Sequence, residues 1–177
     1  SSLQRYYGAV QAVNGLRAKT PRWSSFLDGF LEIVGAASGF TSGFLTVRSE
    51  SGRHYLVVGA TRHPVRGAGR GQDYPIGNGA VGWVFKNGVP LFSGERETAS
   101  RMALFGKDVV TPPFASLICL PLNFHRRTRG VLVLADERAI APTEELKSFL
   151  TLVANNLALF LENLYLKNRL TSAAGKE

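Results

Sequence analysis

Two apolar runs in the last third of the chain constrain its fold most strongly. The first covers Ser116 to Leu122 and the second covers Val131 to Ala135, and each has the length of one β-strand. Strands that are apolar on both faces need a covering layer on each side of their sheet. The basic segment 124–130 joins the two runs, and we predict that it forms the turn of a hairpin.

A helix that is apolar on nearly all sides is predicted to follow, from about Thr143 to Arg169. Two sets of its residues recur with the heptad spacing of an a/d seam: Leu150, Leu157 and Leu164, and Leu146, Val153 and Phe160. Further apolar residues lie off this seam: Phe149, Leu152, Leu159, Leu161 and Leu166. Such a helix is buried on more than one side. We therefore predict that one side covers the sheet and another packs against a second copy of the chain.

The remaining segments alternate between helices, strands and loops. We predict a helix over 3–16, a second helix capped by Ser24 or Ser25 and ended by Gly39, and a hairpin of strands over 43–48 and 53–61. A loop over 62–74 and a short helix over 79–86 would follow. The last elements before the two apolar runs would be a brief strand over 89–92 and an irregular segment over 95–108. This order favours the α+β class, with an antiparallel sheet of about five or six strands. The N- and C-terminal helices would cover one face, and the short helix and loops would cover a pocket on the other.

Length and composition limit the function classes that the chain can belong to. It has 177 residues, 45% of them hydrophobic, and a net charge of +8, so it can bury the core of one domain. Its single cysteine excludes an internal disulfide and a cysteine-based zinc site. The sequence has no signal peptide and no apolar run of about 20 residues, so we expect a cytoplasmic protein.

We divide the chain into three parts. Residues 1–20 are predicted to form a dimerisation helix, 21–170 a single domain that includes the long helix, and 171–177 a polar tail. The sequence opens on Ser1-Ser2 and stops within this tail. We interpret it as a fragment of a longer protein whose output domain would follow the tail.

Several motifs, in this order, resemble the GAF domain family. They are Pro75-Ile-Gly-Asn-Gly-Ala-Val-Gly82 with Val84, Asn87-Gly88-Val-Pro90, Ser116-Leu-Ile-Cys-Leu-Pro-Leu122, Gly130-Val-Leu-Val-Leu134 and Leu161-Glu-Asn-Leu-Tyr-Leu166. The resemblance covers residues 20–170 and implies a dimeric, non-catalytic sensory domain that binds a small effector. Histidine kinases of two-component systems, diguanylate cyclases, phosphodiesterases and transcription activators use such domains. Two alternatives stay open: a ligand-free spacer for dimerisation and signal relay, and an enzyme similar to free methionine sulfoxide reductase.

The resemblance also implies an effector pocket on the sheet face opposite the terminal helices. The positions that look into this pocket match Phe44, Thr46, Ser116, Ile118, Val133 and Ala135, and Trp83 and Phe105 are candidates for its cover. Alternation along each strand supports these groupings. Two hydroxyls among apolar walls suit a mostly apolar ligand. The alternative is that these side chains pack against the cover and leave no cavity.

A parallel homodimer is predicted from the two terminal helices. Its interface would use residues of both helices: Leu3, Tyr6, Val10 and Val13 in the first, and Leu157 and Leu164 in the last. Two copies of each helix would form a four-helix bundle. We expect no cofactor, no metal, no membrane contact and no nucleic-acid partner.

Other candidate motifs have simpler structural interpretations. Gly77 to Gly82 has the G-x-G-x-x-G spacing of dinucleotide sites, but no strand precedes it, so we interpret its glycines as a tight entry into the short helix. Cys119 lies between aliphatic residues and is predicted to be a buried apolar side chain. His54, His63 and His125 are not at metal-ligand spacing. Arginines concentrate at 62–70 and 126–129, and the sequence leaves open whether either segment binds an anion.

Overall fold

A computed structural model describes residues 2–19, 22–61, 73–93, 103–106, 109, 111 and 114–174, the last six by backbone alone. The elements, in chain order, are α1 (Ser2–Lys19), α2 (Trp23–Ser38), β1 (Ser42–Arg48), β2 (His54–Ala60), β3 (Asp73–Pro75), α3 (Gly79–Asn87), β4 (Leu91–Phe92), β5 (Ser116–Phe124), β6 (Arg127–Asp136) and α4 (Glu144–Ala174). Their order and layers confirm the predicted α+β class.

One antiparallel sheet of six strands lies at the centre of the described structure, in the order β3-β2-β1-β6-β5-β4. β5 and β6 pair along their length, from Ser116 opposite Asp136 to Phe124 opposite Arg127. Alternate side chains of their apolar runs pack in the core under the terminal helices on one face and in the cluster with α3 on the other. The prediction of two covering layers is confirmed.

Two predicted boundaries in the sheet are wrong. The turn of the β5–β6 hairpin contains only His125 and Arg126, whereas we predicted a turn over 124–130. Both residues have positive φ, 52° and 60°, which is the backbone of a tight two-residue turn. The strands therefore continue through basic residues to the hairpin tip. Asp73 and Tyr74, the end of the predicted loop 62–74, form with Pro75 an edge strand that pairs with β2 and is too short to show alternation.

Three helices cover one face of the sheet. The buried residues of α2 are Phe26, Leu27, Phe30, Leu31, Val34, Ala37 and Ser38. The helix ends at Gly39, as predicted, where φ is 82° and the N–H donates to Gly35 O. Its start differs from the prediction, because the helix begins at Trp23 and neither Ser24 nor Ser25 is the cap.

α4 begins as predicted, with Thr143 Oγ1 accepting a hydrogen bond from Leu146 N at 3.1 Å. Its inner side is buried in the core under the helices: Leu146, Phe149, Leu150, Val153, Ala154 and Leu157. Within the described residues, the stretch Glu144–Asn168 is long and apolar enough to cross a membrane, contrary to our expectation from sequence. Core helices of soluble proteins, which are mostly buried, meet the same criterion, and 33% of this stretch is buried.

α1 and α4 lie side by side and run parallel. Tyr6 stacks on Phe149 with 4.6 Å between ring centroids, and Arg17 lies 5.7 Å from the centroid of Phe160. From the first contact to the second, each helix advances by the same number of residues. The two helices therefore keep one direction and one register.

A buried carboxylate fastens the end of β6 to the connection between α2 and β1. Asp136 is 1% exposed and accepts hydrogen bonds from the backbone N–H groups of Thr41 at 3.0 Å and Arg138 at 2.8 Å. The Arg138 guanidinium donates to the same carboxylate twice, at 3.0 Å each, and to Gly39 O at 2.7 Å. These bonds, first that from the Arg138 side chain, hold the pKa of Asp136 well below its usual range.

Candidate functional site

α3 and the segment 103–106 cover the second face of the sheet and enclose an aromatic cluster, whose buried rings are Phe44, Tyr55, Tyr74, Phe85 and Phe105. Tyr74 and Phe105 stack with centroids 4.4 Å apart, and Tyr55 and Phe85 stack at 5.0 Å. Aliphatic side chains of the strands and of α3 complete the walls. None of the described cluster residues carries a charge.

Two tyrosine hydroxyls are buried in this cluster without a hydrogen-bond partner among the described residues, Tyr55 Oη and Tyr74 Oη. The two rings lie 5.6 Å apart. Burial raises the pKa of both hydroxyls, so both keep their protons at neutral pH. A buried polar group without a partner costs about 1–3 kcal/mol, so these two donors are where an acceptor would contribute most. Our sequence reasoning did not single out either tyrosine, because the orphaned hydroxyls become visible only once neighbouring strands are placed.

Most of the predicted pocket residues lie at this cluster: Phe44, Trp83, Phe105, Val133 and Ala135. Thr46 faces the same way, since its partner across the sheet is Val131, a member of the cluster. Its Oγ1 donates to Val131 O at 3.0 Å, so this hydroxyl is already paired within the sheet. Whether any of these residues binds a ligand stays a prediction.

The predicted placement of Ser116 and Ile118 is wrong. Ile118 lies in the core under the terminal helices, and Ser116 Oγ donates to Arg138 O at 2.7 Å beyond the end of the strand. Leu117 and Cys119 face α3 instead. Side chains alternate between the two faces along a strand. If the assignment of faces is shifted by one residue, every side chain is placed on the wrong face.

Cys119 is buried, as predicted, but it belongs to the aromatic cluster rather than to the opposite face of β5, where the predicted alternation places it. Burial raises the pKa of its thiol above the ordinary value. The thiol therefore keeps its proton at neutral pH, whereas the nucleophilic form of cysteine is the thiolate.

The glycine motif before α3 brings two backbone segments into close contact. Gly79 has a φ of +71°, and a Cβ added there would lie 2.6 Å from Leu104 O. The N–H groups of Ala80 and Val81 donate to Ala103 O at 2.8 Å and Leu104 O at 3.2 Å. Phosphate sites at helix starts use such N–H groups. Since both donors are engaged, the motif packs the helix rather than holding a nucleotide.

This architecture corresponds to one protein family. The family model described as GAF domain matches residues 23–162. The chain belongs to the GAF domain family. A comparison with curated protein sequences finds no match.

Solved GAF domains share this fold at low sequence identity. The domain from an Acinetobacter phosphoenolpyruvate-protein phosphotransferase is 16% identical, with a TM-score of 0.73 over 95% of this chain and 97% of that one. The corresponding domain from Coxiella burnetii is 15% identical, with a TM-score of 0.74 over 95% and 96%. Free methionine-R-sulfoxide reductase from Neisseria meningitidis is 18% identical, with a TM-score of 0.70 over 89% and 88%. At these identities the similarity shows the fold alone.

The predicted dimer interface of this GAF domain is divided between the core and the surface. Tyr6, Val13 and Leu157 are buried within one protomer, so they are not available to a partner. Val10 and Leu164 are half-buried. Among the described side chains, the large apolar ones that the terminal helices expose are Leu3 and Tyr7 on α1 and Leu152, Leu159 and Leu166 on α4. The last three recur every seven residues, which is a heptad stripe on the outer side of α4.

Of the two basic segments, 62–70 and 126–129, the structure describes only the second. The segment 62–70, with His63, lies outside the described residues. In the second segment, Arg126 occupies the hairpin turn, whereas Arg127 and Arg129 belong to β6. This division determines which arginines can face the terminal helices.

Proposed function

We propose that this GAF domain is a dimeric sensory and regulatory domain of a larger bacterial-type signalling protein, and that it binds a small effector between the sheet and α3. GAF domains are generally sensory or regulatory. The observation that carries the proposal is the pair of buried hydroxyls of Tyr55 and Tyr74, which have no hydrogen-bond partner and lie in an uncharged cluster among the described residues. In a domain that only packs its core, phenylalanine at both positions would avoid this cost.

The chemistry of the cluster defines the class of effector. Both hydroxyls are protonated, so they offer hydrogen-bond donors, and the walls are apolar and aromatic. A charged ligand would lose its hydration without meeting a counter-charge among these residues. We therefore expect an uncharged, mostly apolar effector with one or two acceptor atoms, seated where Phe105 now packs against Tyr74.

Removal of the hydroxyls tests this proposal. Each of Tyr55→Phe and Tyr74→Phe should raise the free energy of unfolding of the effector-free protein by about 1–3 kcal/mol, because a buried unsatisfied group is lost. The same variants should no longer be stabilised by the effector, which mass spectrometry of the purified protein under native conditions can identify. Tyr7→Phe, at an exposed position, is the matched control. Unchanged stability in both cluster variants would contradict the proposal.

A ligand-free spacer is the second candidate, and the density of the cluster favours it. Phe44 and Tyr55 are fully buried and Phe105 is 1% exposed. A spacer would gain the same stability from the phenylalanine variants, yet no small molecule would stabilise the unmutated protein in a thermal-shift screen. The reductase alternative is tested separately by assay of free methionine sulfoxide with Cys119→Ser as control, and we expect no turnover.

The dimer would form through the exposed heptad stripe of α4. Burial of a leucine in an interface contributes about 1.5–3 kcal/mol, and each residue counts twice in a symmetric dimer. Leu159→Lys should therefore give monomers with unchanged circular dichroism. Val89→Lys, which replaces an exposed apolar residue that belongs to neither terminal helix, should not. Light scattering at micromolar concentration measures both, and a monomeric unmutated protein would contradict the dimer.

The same proposal joins the domain to an output domain that would follow residues 171–177, of which 171–174 still belong to α4, and it assigns the protein to the cytoplasm. A signal would pass along α4, whose outer stripe extends to Leu166. Insertion of residues that break the heptad register after Leu166 should change the activity of the full-length protein. An unchanged activity would contradict this route.

A further inference from the structure

A groove on the terminal-helix side of the sheet is separate from the aromatic cluster. It has a volume of about 1010 Å³ and lies between the tips of the two hairpins, the start of α2 and the C-terminal half of α4. Its apolar floor consists of half-buried side chains: Trp23, Val47, Val58, Leu161 and Leu164. Three arginines line the same groove, Arg48, Arg127 and Arg129. We name it the arginine groove.

A β-bulge places two of these arginines on this side. Leu122 pairs with Gly130 and Asn123 pairs with Thr128, so Arg129 is an extra residue without a partner across the hairpin. The bulge shifts the alternation, so that Arg127 and Arg129 both line the groove.

The Arg129 guanidinium lies between two aromatic rings of the groove wall. Its central carbon is 5.4 Å from the ring centroid of Tyr165 on α4 and 5.9 Å from that of Phe124 on β5. Its Nε is buried and has no hydrogen-bond partner among the described residues. The side chain is thus fixed in place while one donor is unsatisfied.

The positive charge of the arginine groove is not neutralised by the described residues. Neither Arg127 nor Arg129 has a carboxylate within ion-pair distance there, and Glu50 is the one acidic residue of the lining. Arg48 donates to three backbone carbonyls, one of them Phe85 O on α3, and to no carboxylate of the described residues. Burial, and then the charges of Arg127 and Arg129, lower the pKa of Arg48 from its usual value. An anion at this end would relieve the mutual repulsion.

We propose that the arginine groove binds an elongated amphipathic carboxylate of the fatty-acid class, with its head at Arg127 and Arg129 and its chain along the apolar floor. The guanidinium fork matches a carboxylate in two parallel hydrogen bonds. The lining part of α4 runs from Leu161 to Asn168, roughly 10 Å at 1.5 Å per residue, which suits a chain of about eight to ten carbons. This site is independent of the proposed effector site, which lies on the opposite face.

Occupation of the groove would act on α4 directly. The helix already touches the β5–β6 hairpin, since His125 Nε2 lies 3.1 Å from Glu162 Oε1. The Arg129–Tyr165 contact is a further one, and a carboxylate held by β6, with its chain against Leu161 and Leu164, would add another connection in the same turns of the helix. The ligand therefore favours the arrangement in which α4 is attached to the hairpin.

Single-tryptophan variants and a bromine-terminated decanoate test the site. Trp23 lines the arginine groove, whereas Trp83 packs against the aromatic cluster on the other face, and the chain has no further tryptophan. We expect saturable quenching of Trp23 fluorescence in the Trp83→Phe variant and no quenching in Trp23→Phe. Quenching of Trp83 instead, or quenching in neither variant, overturns the proposal. The proposed effector site is tested by the tyrosine variants, so the two failures are distinguishable.

The charge requirement is tested with neighbouring arginines. Arg127→Gln should weaken decanoate binding by about tenfold, because it removes a charge-assisted pair with the carboxylate. Arg126→Gln removes the same charge from the adjacent turn, outside the groove lining, and should leave the affinity unchanged. An equal loss in both variants, or equal binding of decyltrimethylammonium, overturns the proposal. Dissociation of a dimer by decanoate would assign the groove to a second copy of the chain and would also overturn it.

Discussion

Asp136→Asn should lower the free energy of unfolding at neutral pH by about 1.5–3 kcal/mol, the contribution of one hydrogen bond to a charged group. The buried carboxylate accepts two backbone N–H bonds, from Thr41 at 3.0 Å and from Arg138 at 2.8 Å, one on each oxygen. An asparagine has one acceptor oxygen, so one of these N–H groups would face an amide NH2. The side-chain bonds from Arg138 add less to this loss of unfolding free energy, because that side chain is 66% exposed and water screens its charge.

The effect of this variant should depend on pH with a definite sign. The pKa of Asp136 is held well below its usual range, so the folded state favours the ionised carboxyl. Its contribution is present above the unfolded pKa of about 3.9 and is lost as the pH falls towards the folded pKa. The difference between the unmutated protein and Asp136→Asn should therefore shrink between about pH 5 and pH 2.

Urea unfolding followed by circular dichroism measures this difference across the pH range. Glu137→Gln, at the exposed neighbouring position, is the control and should change stability by less than about 0.5 kcal/mol. A difference for Asp136→Asn that stays constant down to about pH 2, or one no larger than that of the control, would refute the reasoning.

Three further predictions follow from the backbone and the core. Gly79→Ala should prevent the close packing of α3 against the segment 103–106 and strongly reduce the thermal midpoint of unfolding. Gly15→Ala, in α1 with open space around it, should raise the free energy of unfolding by up to about 1 kcal/mol. Calorimetry on both variants compares the two effects. Arg126→Gly should be more stable to urea than Arg126→Val by about 1–2 kcal/mol, because φ is positive at this position and a β-branched residue resists it; equal stability would contradict the turn geometry. Cys119 should react with a thiol reagent only at the rate of unfolding, because the thiol is buried and its pKa is raised; rapid modification of the folded protein would contradict its placement.

The sequence was sufficient where burial alone decides the structure. The two-sided apolar runs of β5 and β6 require a layer on each face, so the presence of both covering layers follows directly. The start of α4 at Thr143 and the end of α2 at Gly39 were predicted because each depends on local hydrogen bonding of a single residue type. These features need no knowledge of distant contacts.

The sequence was insufficient where pairing between distant residues decides the structure. The face of β5 depends on its register with β6, and an error of one residue reversed Ser116 and Ile118. The bulge at Arg129 depends on the same pairing and was not predicted. In α4, periodicity alone cannot tell which of two adjacent heptad stripes is internal, and the structure buries Leu157 and exposes Leu159.

The parallel course of α1 and α4 determines how the domain sits in a chain. α1 runs in register with the first half of α4, and α4 continues in the same direction to Ala174. Any segment joined before α1 and any segment joined after α4 would leave from opposite poles of the domain. Such a domain is connected in series between its neighbours, and α4 is the helix along which a displacement at one pole would reach the other.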